Sequence, residues 1–371
     1  MQFLKLSQVH NQYAQGIENM LVQCEDKSYD NLRNVVYAQL LDNANFYELN
    51  LNELQLCNAT DTITNLPSLR LAWYEQIGIK PKNSINEFAL DLIEHYKPQI
   101  IYDHFQIFKG GILEIKDKFP FVKIVLTWDC YAASPADGSL GYDLYLTCLQ
   151  SMQQKYEAHG QACYYNPFGF EKRILENIET NNDRVNKVAF SGSIISDLHN
   201  ERLQTVNLLR KQNHLHWWIG NMGQGIFTKS KLRELTYGNF SAIWRSFLLE
   251  KNNRGKLYGK AMYELFAQYQ ICLNVHGNGV PNIGNMRLTE ASGMAACQII
   301  DWKPNATDYF EPDTEAVFYK SLPELADKVN YLINNPNIAR EIGQAGQART
   351  LRQHTMEQHV QRMWESIQKH L

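Results

Sequence analysis

Two doubly wound α/β domains are what this sequence predicts, and three observations carry the prediction. From Pro98 onward, short apolar runs alternate with amphipathic stretches. That is the pattern of parallel strands joined by helices that cover both faces of a sheet. The alternation is interrupted by a turn-rich cluster at 166–170 and a polar stretch at 179–186, the best linker in the chain, and then begins again. The length of 371 residues suits two domains, and 44% hydrophobic with 20% charged residues excludes a mostly disordered or collagen-like chain.

The first ninety or so residues read as mixed and mostly helical, with polar stretches such as 58–65 and no catalytic signal. Strands are then expected at 99–104, 123–129 and 144–147, with helices at 112–119 and 149–159. After the linker come a strand at 188–192, a helix at 201–212, and strands at 214–219 and 269–275. A helix at 288–296, strands at 297–300 and 316–319 and a helix at 322–334 complete the second domain. In the tail, Val360, Met363, Trp364, Ile367 and Leu371 fall at helical spacing, which predicts a packing helix. The expected domains are 1–180 and 187–355.

With 36 Lys and Arg against 39 Asp and Glu, the net charge is −3, and no global basicity points to nucleic acid. No apolar run is long enough to span a membrane, and the N-terminus lacks the pattern of a signal peptide, so a cytoplasmic protein is expected. The seven cysteines are an odd number, widely spread, with no C-x-x-C pair. This argues for reduced, mostly buried thiols and against a zinc site or a disulfide framework.

The richest stretch chemically is 271–297. A strand ends at Val275, a Gly/Asn-rich loop follows from His276, and a helix opens near Arg287. Glycines let backbone N–H groups approach a ligand, and a helix start offers unpaired donors, so a phosphate or diphosphate is expected there. Glu290, one turn further in, suits a ribose diol. Between Lys229 and Lys260 eight Lys and Arg face two Glu, against the sign of the whole chain. Such a stretch fits an anionic ligand or an acidic membrane face, so peripheral membrane association is compatible with it. Lys260 and Lys256 are the best of these residues. The glycine cluster 220–225 reads as a turn, and His214 and His216 as solvent-facing. The chain holds no D-x-D pair for a divalent metal, and no metal is expected. In the first half, Asp103, His104 and Asp129 each follow a strand, where open parallel sheets bind ligands. They are the candidates for a general base or a sugar contact, whereas Asp143 reads as structural.

The segment from Tyr258 to His276, YGKAMYELFAQYQICLNVH, resembles the nucleotide-sugar half of two-domain glycosyltransferases, the group-1-like family that includes spore-maturation-type proteins. MRLTEASG at 286–293, FEPDTEAVFY at 310–319 and Ala345-Gly346 continue the likeness. A weaker likeness runs over 97–193, where Trp128-Asp129, Tyr142-Asp143 and Phe168-Gly-Phe170 fall in the expected order. The resemblance implies the GT-B architecture: two Rossmann-like domains facing a cleft, donor in the second and acceptor mainly in the first. It also implies that residues 356–371 cross back to the first domain. By position, Glu290 would hold the donor ribose. Gly192, Ser193 and the loop carrying Asn274, His276, Asn285 and Arg287 would face the diphosphate. Tyr258 would meet the base, and Lys260 would neutralise charge. Many retaining relatives carry a glutamate eight residues before the ribose glutamate, and here that position is Asn282.

The implied reaction is attack of an acceptor hydroxyl on the anomeric carbon of a nucleotide sugar, the acceptor being a glycan, a lipid-linked sugar or a protein side chain. Surface polysaccharide or glycoconjugate synthesis would be its setting. Stereochemistry, base and sugar stay open. So do two other readings, a hydrolysing nucleotide-sugar epimerase and a non-catalytic binding member of the same fold.

Overall fold

The computed structural model describes every residue except 42–43, 132–133, 181–182, 195–198, 221–251 and 278. The chain divides into two compact units, one of Met1–Glu171 with Thr355–Leu371 and one of Lys172–His354. The change of unit therefore falls just after the Phe168-Gly-Phe170 turn, ahead of the polar stretch at 179–186. Strand β7 already begins within that stretch, at Val185.

Unit 1 holds a six-stranded sheet. Its strands are β1 (Gln2–Ser7), β2 (Asn58–Ile63), β3 (Ile100–Asp103), β4 (Ile124–Trp128), β5 (Leu144–Thr147) and β6 (Cys163–Tyr165). The order is β2-β1-β3-β4-β5-β6 with every pair parallel. The three expected strands are β3, β4 and β5. The first ninety residues, read as mostly helical, also supply β1 and β2. Strand β2 looks polar because Asp61 lies opposite Lys5 in the register. There Lys5 Nζ bonds Asp61 at 2.6 Å and Ser7 Oγ at 2.6 Å, all three side chains being buried. Thr60 and Thr62 favour the strand by their β-branching.

The C-terminal helix Met356–Gln368 belongs to unit 1, where it packs on the helix Phe46–Glu53. Thr355 opens it with a reciprocal capping box to Gln358. Met356, Val360, Met363, Trp364 and Ile367 form its buried face. Its start docks on the 169–170 backbone, where Met356 N–H donates to Phe170 O at 2.9 Å. A Cβ on Gly169 would lie 2.4 Å from Thr355 O. Gly169→Ala is therefore expected to lower stability by about 2 kcal/mol, through overpacking against backbone that has little room to shift. An unchanged denaturant midpoint would contradict this.

Unit 2 holds a five-stranded parallel sheet of β7 (Val185–Gly192), β8 (Leu215–Ile219), β9 (Tyr269–Asn274), β10 (Cys297–Asp301) and β11 (Val317–Tyr319). The order is β11-β10-β9-β7-β8. In each sheet the winding reverses at one place, between β1 and β3 in unit 1 and between β7 and β9 in unit 2. The crevice at the carboxyl ends of such a pair is where open α/β sheets bind ligands. Among the described residues, no helix is long and apolar enough to cross a membrane.

Candidate active site

In unit 2 the reversal point is bridged by an arginine. Arg202, on the helix Asn200–Lys211, donates from Nε and Nη2 to Val275 O at 3.1 and 2.7 Å, and from Nη1 to Ser193 O at 2.6 Å. Ser193 follows β7 and Val275 follows β9, so one guanidinium ties together the two strand ends that flank the crevice. Burial lowers its pKa to about 10, and the charge of Arg287 acts in the same direction. Among the described residues no carboxylate pairs with it. Three of its five N–H groups are occupied by these carbonyls among the described residues.

The loop after β9 is held by three side-chain clamps. Asn274 and Asn285 exchange amide bonds at 3.0 and 2.8 Å. Asn305 accepts from Ile283 N at 2.8 Å and donates to Ile283 O at 2.9 Å. His276 Nδ1 lies 2.8 Å from Asp301 Oδ1, and its Nε2 accepts from Gly284 N at 3.4 Å. These contacts place the proton on Nδ1. Burial works to raise the Asp301 carboxyl, but the His276 bonds and the nearby Lys303 outweigh it and hold the group below its ordinary value. Gly192 and Ser193 thus lie at the same strand-end edge as Asn274 and His276.

Arg287 and Glu290 form an ion pair of 2.6 Å on the seven-residue helix Arg287–Gly293. The Arg287 guanidinium also contacts Met262 Sδ and sits 5.0 Å from the Phe266 ring. Both of those neighbours are on the helix Lys260–Gln268, which Lys260 opens after the positive-φ Gly259. Tyr258 is half-buried and Lys256 exposed. Gly220 donates to Gly192 O at 3.1 Å. The rest of the 220–225 cluster, the basic residues from Lys229 to Lys251, and Asn278 lie outside the described residues. His214 and His216, expected to face solvent, are bonded instead to Asn330 and to the Tyr269 hydroxyl.

In unit 1 the three candidates differ sharply. Asp103 ends β3 fully buried, and its carboxylate accepts from Ile107 N at 2.9 Å, Phe108 N at 2.8 Å and the Tyr142 hydroxyl at 2.7 Å. Burial raises its pKa against those donors. Such a carboxylate caps the turn that carries His104. Asp129 accepts from Tyr131 N at 3.1 Å and from the Tyr156 hydroxyl at 2.7 Å, at the wall of a cavity of about 270 Å³. His104 stands at the reversal point, its N–H bonded to Leu6 O of β1 at 3.2 Å. Its Nδ1 lies 2.8 Å from the Tyr102 hydroxyl, and among the described residues its Nε2 carries no hydrogen bond. Burial pushes this imidazole well below its ordinary pKa, with Lys5 and His359 adding to the effect, so it is neutral at pH 7. Asp143 is structural as expected, accepting from Val125 N at 2.7 Å and Lys116 Nζ at 2.6 Å.

Sequence reasoning missed Arg202, Asp301, Lys303 and Asn305. Asp301 ends a strand just as Asp103 does and was open to the same rule. Arg202 had no signal, because on a helix rich in Asn, Gln, Arg and Lys it is one polar residue among many. Among the described residues, no group of three or more His, Cys, Asp or Glu is placed to hold a metal ion.

Residues 224–365 match the family described as glycosyl transferase-like. The chain also matches several solved structures. Anabaena Alr3699/HepE, in complex with UDP-glucose, has 13% identity over 100% of both chains and a TM-score of 0.61. A glycosyltransferase from Rickettsia africae ESF-5 has 11% identity over 100% of this chain and 98% of its own, with a TM-score of 0.56. Sucrose-phosphate synthase from Thermosynechococcus elongatus has 11% identity over 84% and 83%, with a TM-score of 0.54. At these identities the likeness is one of fold. No curated protein matches the sequence. The two parallel-sheet domains are those of the GT-B fold. Residues 224–365 thus carry a glycosyl transferase-like match on a chain whose fold is that of the solved glycosyltransferases.

Proposed function

We propose that this enzyme transfers a glycosyl group from a uridine diphosphate sugar to a hydroxyl of a glycan, lipid-linked or protein acceptor, without a metal ion. The observation that supports this most is the Arg202 fork at the reversal point of unit 2. It is a half-buried cation at the strand ends, beside Arg287 and a clamped glycine-rich loop. The base is proposed from HepE, whose structure contains UDP-glucose.

As the bond from the anomeric carbon to the diphosphate breaks, charge develops on the leaving phosphate oxygens. Arg202 and Arg287 stabilise it, and removal of one such fixed donor commonly costs about 2.7–4 kcal/mol of barrier. Glu290 receives the ribose, while its bond to Arg287 fixes where that cation points. On unit 1, His104 is the group left to act on substrate. With Nδ1–H donated to the Tyr102 hydroxyl, its Nε2 lone pair is available to accept the acceptor's proton. Asp103 and Asp129 position their loops.

Calorimetric titration with UDP, GDP, dTDP, CDP and CMP, with and without Mg²⁺, tests the reading. UDP is expected to bind best, and equally well without the metal. Glu290→Ala is expected to weaken UDP about tenfold, the effect of one lost hydrogen-bonded charge. Wild-type affinity in that variant would remove the donor site from this crevice.

A further inference from the structure

We propose that Cys130 and Cys148 form a redox-active dithiol, which a hydroperoxide converts to an intramolecular disulfide. The inference is independent of the donor and acceptor reading. Strands β4 and β5 are parallel neighbours with Trp128 opposite Leu146, and Asp129 N–H still donates to Leu146 O at 2.9 Å. Two residues beyond that pair, the same register sets Cys130 opposite Cys148. Adjacent strands lie about 4.8 Å apart, inside the Cα separation that disulfides use. The sulfur atoms are 2.6 Å apart while both thiols are free. Little movement separates this arrangement from the S–S bond of about 2.05 Å.

The two thiols are not equivalent. Cys130 Sγ accepts the Cys148 backbone N–H at 2.8 Å and lies 3.5 Å from the Thr147 hydroxyl, while its thiol points at Cys148 Sγ. Cys130 is also the more exposed of the two, and Cys148 is buried. Burial, together with its bond to Cys130, pushes the Cys148 thiol well up, so Cys148 keeps its proton. Cys130 is therefore the attacking sulfur and Cys148 the resolving one.

The Cys130 thiolate attacks one peroxide oxygen. The O–O bond breaks, an alcohol or water leaves with a proton, and Cys130 becomes a sulfenic acid. Cys148 sulfur then attacks Cys130 sulfur. The S–S bond forms, the S–O bond breaks, and the hydroxide leaves as water with the Cys148 proton. Two electrons pass from the thiols to the peroxide. Thiol reductants reverse the reaction, so in a reducing compartment the dithiol is the resting form. The disulfide would close the chain segment between β4 and β5 at its base. That segment carries Tyr131 and the 134–140 wall of the cavity beside Asp129.

The test treats the full native chain with one equivalent of hydrogen peroxide, then denatures and alkylates it. The oxidised chain is expected to take two fewer alkyl groups than the seven of the reduced chain, and dithiothreitol to restore them. Cys130 and Cys148 share one tryptic peptide, so a chymotryptic digest locates the link. In Cys148→Ser, dimedone is expected to label Cys130, and in Cys130→Ser neither link nor label forms at this site. Full alkylation of Cys130 and Cys148 while Cys24 or Cys57 oxidises would overturn the proposal. So would a Cys148→Ser chain with no dimedone at Cys130.

Discussion

Arg202→Lys is expected to lower the melting temperature by several degrees and to weaken UDP binding, although the charge is kept. The guanidinium fork holds two carbonyls at once, Val275 O through two N–H groups and Ser193 O through a third. A lysine ammonium is a point charge on a flexible stem and does not reproduce a planar fork. Bonds to a charged donor contribute about 1.5–3 kcal/mol each, and they do not add fully. A net loss of about 3 kcal/mol follows, because one of the two strand ends is left with an unsatisfied buried carbonyl. For a domain of 150–250 residues this corresponds to roughly 6–12 °C. UDP affinity falls as well, since the crevice between Ser193 and Val275 loses its spacer. Calorimetric melting and UDP titration of the same preparation check both effects. A lysine variant that melts and binds like the wild type would show that Arg202 neither ties the strand ends nor faces the donor.

The alternating half of the sequence was legible because its strands are apolar and short, and each is followed by a helix. The runs at 99–104, 123–129 and 144–147 became β3, β4 and β5, and the five runs after the linker became β7 to β11. The first ninety residues hid two strands for a physical reason. In β2 the inward position Asp61 is polar, and its partner Lys5 interrupts β1, so the ion pair that joins the strands removes the hydrophobic signal of both. The helix Pro336–Gln353 escaped for a related reason. Its contact face relies on Gly343 and Gly346, where an added Cβ would lie 2.4 Å from Ala295 O and from Glu315 O. Close backbone packing of this kind leaves no apolar stripe to read.

At the site, the rule that ligands gather at strand ends singled out Asp103, His104 and Asp129, while the resemblance singled out Gly192, Asn274 and His276, which share one strand-end edge. The rule does not say what a side chain does there. Asp103 with three donors and Asp129 with two are anchors for the loops that follow, while among the described residues one ring nitrogen of His104 carries no hydrogen bond. Nor does spacing distinguish residues that touch a ligand from those that hold the loop. Asn274 and Asn285 looked like diphosphate contacts and are bonded to each other.

Lowering the pH below 6.5 is expected to destabilise unit 1, and His359 accounts for a large part of the loss. This histidine came into view only with the fold, on the face of the C-terminal helix that packs into unit 1. Its Nδ1 lies 2.8 Å from Pro167 O, which fixes the proton there, and its Nε2 accepts the Tyr47 hydroxyl at 2.8 Å. A second proton on Nε2 would displace the Tyr47 O–H that Nε2 accepts and would face the Asn166 amide NH₂. Burial pushes its pKa down to about 3, against a weaker pull upward from the Pro167 carbonyl, and the Arg362 charge adds to the depression. The unfolded imidazole takes a proton below pH 6.5, whereas the folded one does not until about pH 3. The unfolded state therefore binds more protons through that window. Stability is fully present above pH 6.5 and falls as the pH drops toward 3, at about 1.4 kcal/mol per unit for this one group. The whole span is on the order of 4–5 kcal/mol. His104, depressed in the same direction, adds to the slope. His359→Gln keeps an acceptor for Tyr47 but cannot take up a proton. Denaturant unfolding at pH 7, 6 and 5 should give the variant a slope shallower by about 1.4 kcal/mol per unit, whatever its stability at neutral pH. Equal slopes in the two proteins would mean that His359 is protonated in the folded state, and that the Tyr47–His359–Pro167 chain is not held as a neutral relay.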